Sequence, residues 1–283
     1  MLSGLPCLGS GLGYRPELAA AIGDHSDRID WLEVITEHYL FEPGDQRETL
    51  LDLRRRCPIV PHGVELSLGA PEETAGRYLD ALAQLVADVG APWFSDHLSF
   101  TRAGDVALGT LVPLPRAREV AREVGHRAQA AQEAVGVPLL LENITYYLDL
   151  PAPLTEAQFI TEVMEHCECG LLLDLTNLDV NARNHGYSPE EFLDSIPLER
   201  VVQVHLAGGE DDPAGAMALD THAAPVPEQV WTLLSELVKR APVRTTLLER
   251  DALFPEDFAE LQADLDRARA VLLGAPGTRA GVV

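Results

Sequence analysis

The sequence predicts an α/β chain folded as a single (β/α)₈ (TIM) barrel, with a metal site at the C-terminal face of its strands. Three observations predict it. Eight short β-rich apolar runs alternate with longer helical patterns along 283 residues. The ends of those runs lie 23 to 45 residues apart, which suits one βα unit plus loop insertions. Six successive runs, the third to the eighth, end in His, Asp or Glu. Barrels of this kind commonly form one domain of about 250 residues.

In chain order, the first run is Leu5–Gly11, followed by Trp31–Val34, Ile59–His62 and Trp93–His97. The remaining four are Leu139–Glu142, Leu171–Asp174, Val201–His205 and Thr246–Glu249. Helical patterns cover Glu72–Val89, Arg116–Val135, Thr155–Cys167, Pro227–Arg240 and Pro255–Leu273. Thr155-Glu-Ala-Gln158 reads as a capping box, and Ser188-Pro-Glu-Glu191 places a cap before a first-turn proline. The glycines of Gly9-Ser-Gly-Leu-Gly13 lack the spacing of a dinucleotide fingerprint and are expected to let the first βα loop turn tightly. No Ser/Gly-rich linker breaks the series. Residues 1–273 are therefore expected to form the barrel domain, and 274–283 a flexible C-terminal tail.

Composition narrows the function. Lys and Arg number 21 against 45 Asp and Glu, a net charge of −24. Such a surface repels nucleic-acid backbones and anionic lipid, so neither is an expected partner. No window reaches the roughly 18 apolar residues of a membrane span, and the N-terminus lacks a basic signal region. Cys7, Cys57, Cys167 and Cys169 show no zinc or redox spacing and are expected to be reduced, pointing to a cytoplasmic protein.

In a barrel the C-terminal strand ends converge on one face, where active sites lie. His62, His97, Glu142, Asp174, His205 and Glu249 would therefore meet at one mouth. A lone polar strand end is usually a hydrogen-bonded loop residue, but six in succession need counter-cations. Arg250 and Arg183 are the fixed cations nearest in sequence, so metal ions are the economical answer. Asp220 and His222, at i,i+2, can reach one ion from an extended segment, and Asn177 offers an amide oxygen. Nine candidate ligands exceed what one ion uses and fit two or three ions bridged by carboxylates. The imidazole–carboxylate mixture disfavours calcium or magnesium, and the lack of thiolates disfavours structural zinc, leaving iron, manganese and catalytic zinc. His185 is a further candidate ligand or a loop anchor. Glu33 or Glu37 is placed to orient a ligand histidine. Tyr146 and Tyr147 either line a substrate groove or pack under a loop.

These residues lie in a recognisable order of motifs. Gly11-Leu-Gly-Tyr-Arg-Pro-Glu17, Asp30-Trp-Leu-Glu-Val34, His62-Gly63, Ser95-Asp-His-Leu-Ser99 and Glu142-Asn143 come first. Leu172-Leu-Asp-Leu-Thr-Asn177, Asn184-His-Gly186, His205-Leu-Ala-Gly208, Asp220-Thr-His222 and Leu248-Glu249 follow. Together they resemble the multinuclear non-heme iron-dependent oxidative enzymes, the group that includes the methanobactin-biosynthesis oxidase. The resemblance runs from about Gly11 to Asp251. Two departures are local: Thr176 precedes Asn177 where paired Asn is common, and Glu37-His38-Tyr39 replaces Glu-Asn-Tyr.

The resemblance implies two or three irons of mixed Fe²⁺/Fe³⁺ state, with O₂ as cosubstrate. It places the iron ligands on His62, His97, Glu142, Asp174, Asn177, His205, Asp220, His222 and Glu249. His185, Asn143, Glu33 and Tyr146 are expected around those ligands or against the substrate, with no catalytic residue beyond the ligands. The implied activity is oxidative modification of a residue, Cys foremost, in a ribosomally made precursor peptide, alongside a partner protein that recognises the leader. Two alternatives stand beside it: a divalent-metal sugar isomerase or hydrolase barrel, and a non-catalytic metal-binding partner of a peptide-maturation complex. The first usually carries a lysine in its mouth, and the sole lysine here, Lys239, lies in a helical pattern.

Overall fold

The structure, a computed structural model, describes residues 2–41, 44–72 and 74–274. Most of the expected C-terminal tail, 275–283, lies outside the described residues. Twelve strands lie among the described residues: β1 (Gly9–Gly13), β2 (Leu32–Ile35), β3 (Ile59–Gly63), β4 (Phe94–His97), β5 (Ser99–Ala103) and β6 (Val106–Pro113), then β7 (Leu139–Glu142), β8 (Gly170–Asp174), β9 (Val201–Leu206), β10 (Gly208–Asp211), β11 (Ala218–Ala224) and β12 (Thr245–Leu248). Eight of them, β1, β2, β3, β4, β7, β8, β9 and β12, close into a parallel barrel with helices outside, the expected (β/α)₈ architecture. Register levels the polar ends: His97 pairs with Glu142, and Asp174 with His205.

The first strand differs from expectation. Leu5–Leu8 precede it, residues 2–4 form a 3₁₀ turn, and the glycine-rich segment expected as a loop is β1 itself. The apolarity of Leu5 serves a different purpose. It joins Trp31, Val60, Trp93, Leu140, Leu172, Val202 and Leu247 in a dry layer filling the barrel interior. Trp31 fits there because Gly11 faces it: a Cβ at Gly11 would lie 2.4 Å from the indole ring. Strand β12 likewise ends at Leu248, leaving Glu249 just beyond it.

Between the barrel strands, helices pack on the outside with their apolar faces inward. Gly76–Val89 buries Leu82, Leu85 and Val89, while Glu156–Met164 buries Phe159, Ile160 and Val163. The capping box is present: the Gln158 backbone N–H donates to Thr155 Oγ1 at 3.2 Å, and the Thr155 N–H donates to Gln158 Oε1 at 3.0 Å. Thr155→Ala is expected to cost about 1 kcal/mol, read as a lower denaturant midpoint with unchanged slope. Helices Asp45–Arg54 and Leu175–His185 and the hairpins β5–β6 and β10–β11 are additions to the elements expected from sequence. The helix Leu175–His185 starts directly from β8, with Asp174 as its N-cap. No helix among the described residues is long and apolar enough to cross a membrane. All four cysteines are free, with Cys167 and Cys169 buried.

Candidate metal centre

At the C-terminal end of the barrel, three of the four side-chain clusters found among the described residues form a chain, and the fourth, Glu33, His205 and Glu249, overlaps the last two of them. His62, His97 and Glu142 make the first, Glu142, Asp174 and His205 the second, and Asp174, His222 and Glu249 the third. Glu142 belongs to two of them, and so does Asp174. Glu142 Oε2 lies 3.4 Å from His62 Nε2 and 3.2 Å from His97 Nε2, while its Oε1 lies 3.2 Å from His205 Nδ1. Glu249 Oε2 is 3.1 Å from His205 Nδ1 and 3.5 Å from His222 Nδ1. A cavity of about 770 Å³ opens over these groups.

The far side of each imidazole is held by the protein. His97 Nδ1 donates to the Gly63 carbonyl at 3.1 Å, which fixes the tautomer and leaves the Nε2 lone pair facing Glu142. His62 Nδ1 lies 2.9 Å from the Ser95 hydroxyl. His205 Nε2 lies 3.1 Å from the Glu33 carboxylate, so its Nδ1 faces the cluster. Glu33 in turn accepts from Gln203 Nε2 at 2.6 Å, and Gln203 Oε1 accepts from Trp93 Nε1 at 2.8 Å. This chain runs from the dry layer of the barrel up to His205. Glu33→Gln weakens the hold on the His205 tautomer and is expected to lower metal affinity about 10–100-fold, measured by chelator competition.

Hydrogen bonding is incomplete at one place above all. Glu142 Oε2, Asp174 Oδ2, His205 Nδ1, Asp220 Oδ1 and His222 Nε2 are buried without a hydrogen-bond partner. Asp220 Oδ1 and His222 Nε2 approach to 2.7 Å, yet neither atom makes a hydrogen bond. Orphaned buried atoms of this kind are rare in folded proteins and call for an explanation. Here they share one address, and each, once free of its proton, offers a lone pair suited to a metal ion.

Electrostatics say the same. Burial, reinforced by Glu142, holds the Asp174 carboxyl well above its ordinary range. Burial also drives His97 down to about 4, against the pull of Glu142, so its ring is neutral near pH 7. Glu142 is pulled down to about 2 despite burial, because His205, His97 and His62 surround it. Burial works against the charged form of His205 too, but Glu33, Glu142 and Glu249 raise it well above the usual imidazole value.

Among the described residues the fixed cation lining the mouth is Arg15, a residue of the Gly11–Glu17 motif for which the sequence alone suggests no role. Its Nη2 lies 3.3 Å from Glu249 Oε1, and its Nε donates to Asp251 at 2.8 Å. Asp251 also lies 3.3 Å from His222 Nδ1. The cations nearest in sequence are engaged elsewhere: Arg250 pairs with Glu260, and Arg183 with Asp211. The i,i+2 spacing of Glu249 and Asp251 along an extended segment was the available signal, as it was for Ser95 and His97.

Asp220 and His222 stand on β11, the return strand of the second hairpin. His222 sits at φ +48°, a left-handed conformation that costs a non-glycine residue on the order of 1 kcal/mol. Gly208 permits the strands to close, because a Cβ there would lie 2.2 Å from the Ala224 carbonyl. Asn177 faces the same cavity, but its Oδ1 accepts from Thr145 Oγ1 at 2.5 Å and its Nδ2 donates to the Asn143 carbonyl. Asn143 Nδ2 donates to the Asp174 carbonyl, tying β7 to β8. His185 lies outside the clusters: its ring stacks on Tyr146 at 4.4 Å, with Nε2 2.8 Å from the Tyr146 carbonyl. Tyr146 borders the cavity, and Glu37 accepts from the Val64 and Glu65 N–H groups and from Tyr78.

Comparison with known proteins gives a consistent picture. The family described as RiPP precursor modification enzyme MbnB/TglH/ChrH matches residues 9–273. A UPF0276 protein of Anaeromyxobacter sp. is 39% identical over 249 residues, covering 88% of this chain and 87% of that protein. A UPF0276 protein of Caulobacter vibrioides is 38% identical over 266 residues, covering 93% and 94%. One of Streptomyces avermitilis is 38% identical over 98% of this chain, which spans only 57% of that longer protein. Among solved structures, a D-psicose 3-epimerase from Clostridium cellulolyticum superposes with a TM-score of 0.60 at 11% identity, over 93% of this chain and 99% of that one. An endonuclease IV from Thermus thermophilus gives 0.59 at 19% identity, over 94% and 100%. At those identities the likeness is one of fold.

Proposed function

The chain belongs to the MbnB/TglH/ChrH family of RiPP precursor modification enzymes, and from that premise we propose that it oxidises a residue, Cys foremost, of a ribosomally made precursor peptide. The reading takes two or three irons in mixed Fe²⁺/Fe³⁺ state as cofactor and dioxygen as cosubstrate. A separate leader-recognising protein is the proposed partner, and the barrel domain is proposed to carry the activity within the cytoplasm. The observation that carries the metal reading is the set of orphaned buried atoms on Glu142, Asp174, His205, Asp220 and His222. Neutral and anionic donors without thiolates suit iron.

The residues that would hold the ions are His62, His97 and Glu142, then Asp174 and His205, then Asp220, His222 and Glu249, with Asn177 beside them. When bound, iron supplies the redox chemistry that passes electrons to dioxygen and the Lewis acidity that holds a substrate heteroatom. The chain does the rest. Gly63, Ser95 and Glu33 hold the three imidazoles in orientation through their outward nitrogens. Glu142 and Asp174, each shared between neighbouring clusters, keep those clusters close together. Arg15 offsets carboxylate charge beside Glu249 and Asp251. The packed layer beneath excludes water from below.

A sugar-isomerase reading lacks its usual lysine. Lys239 lies on the helix side of the molecule, with its Nζ 2.6 Å from Glu236. The test is elemental analysis and Mössbauer spectroscopy of protein made with iron and purified without oxygen. The expected result is two to three irons per chain with coupled ferric and ferrous signals, and dioxygen uptake that depends on added peptide. A single zinc or manganese, with iron absent even when supplied, overturns the proposal.

A further inference from the structure

Beside the metal mouth lies a second cavity, of about 230 Å³, with apolar walls. Ile144, Phe159, Ile160 and Leu98 form its interior, and Leu148 and Leu150 its rim. It shares Pro113, Pro115, Tyr146, Leu148 and Leu150 with the mouth, so one wall separates the two spaces. Asn143, which lines it, directly follows the cluster residue Glu142.

The rim is anomalous for a solvated surface. Leu148 and Leu150 are 67% and 63% exposed, two large apolar side chains within three residues, and the half-exposed Tyr147 beside them lines the mouth. Exposed apolar surface concentrated beside a pocket marks a binding site rather than a solvated loop. The Arg116 guanidinium lies 5.3 Å from the Tyr146 ring centroid and also pairs with Asp149, giving this apolar pocket a polar edge. An engineered apolar cavity of about 150 Å³ takes a benzene ring. The larger cavity here has room for a Leu, Ile or Phe side chain.

We propose that this cavity is a specificity pocket for an aliphatic or aromatic side chain of the peptide substrate, within two residues of the one seated at the metal mouth. The inference rests on the peptide-modifying reading of the mouth. An extended peptide advances about 3.3 Å per residue, so two residues carry it past a single shared wall. The pocket would set the register of the peptide, and with it which residue reaches the metals.

The test is equilibrium binding by fluorescence anisotropy on the full chain, loaded with ferrous iron without oxygen. The probes are dye-labelled blocked pentapeptides Ac-X-Gly-Cys-Gly-X-NH₂ with X as Leu or Ala. The Leu peptide is expected to bind about tenfold tighter than the Ala peptide, from the extra apolar area buried. Ala152→Trp, on an exposed lining position, fills the cavity and brings the ratio close to one while the Ala peptide keeps its affinity. Leu150→Ser, at the exposed rim, lowers the ratio without touching the core. Equal affinity of the two peptides, no measurable binding of the Leu peptide, or a ratio that survives Ala152→Trp each overturns the pocket. Oxidation is scored separately in air. Discriminating binding by protein that takes up zinc or manganese but no iron removes the oxidase reading and leaves the pocket, and oxidation without discrimination does the reverse.

Discussion

Glu142→Ala is expected to reduce the iron content from two or three per chain to at most one, and peptide-dependent dioxygen uptake by at least about 10²-fold. Loss of a group that merely orients a ligand already costs about 10–100-fold in metal affinity or activity. Glu142 would hold the ions itself rather than orient another ligand. Its Oε2 faces His62 and His97, and its Oε1 faces His205, so one truncation removes an oxygen from two clusters together. Truncating His62 subtracts from one cluster only, and His62→Ala should keep at least one more iron than Glu142→Ala. Colorimetric iron determination on anaerobically prepared protein reads both. Equal iron in the two variants, with both folded by circular dichroism, would remove the role of Glu142 as a residue shared by two clusters.

Stripping the metal is the second large effect. Asp174 Oδ2 and Glu142 Oε2 then lie buried without partners, a costly arrangement unless protons or cations occupy the site. An ion at a hundredfold excess over its Kd contributes about 2.7 kcal/mol to stability. For a domain of this size that corresponds to roughly 5–10 °C in Tm for each tightly bound ion. The pH dependence has a definite sign. In the ion-free protein Asp174, His205 and His222 all have raised pKa values, so they hold protons that an incoming metal must displace. Metal affinity therefore climbs with pH, and the difference in Tm between loaded and stripped protein shrinks as pH falls. Calorimetric scans at several pH values with and without ferrous iron measure it. A gap that widens in acid would contradict the proton displacement.

Much of this centre was legible in the sequence because barrel topology does the assembling. Residues as distant as His62 and Glu249 become neighbours once each is recognised as a strand end. Six successive apolar runs with a ligand-type residue at their ends are visible in the sequence, and in the structure each of those residues falls at or within one position of a strand end. What escaped notice did so for physical reasons. Leu5 and Leu8 carry the composition of a strand, yet the strand starts later, at residues too small to look like one. Gly11 is in a barrel strand because Trp31 needs the space of a side chain, a demand made by a partner 20 residues away. The hairpin β5–β6 hides in what reads as a long loop, since β6 is exposed along most of its length and so lacks a strand's apolar alternation. Arg15 and Asp251 were within sight of recognised motifs, but their pairing across 236 residues is a product of barrel closure between β1 and β12.

The packed layer around Trp31 and Trp93 also governs traffic. With these rings fully buried across the barrel interior, the chamber over the clusters has a closed floor among the described residues. On the proposed function, a peptide seated across the mouth would cover the chamber, and a small co-reactant would have to enter before it or around its edges. Turnover would then be tied to how long the peptide stays seated.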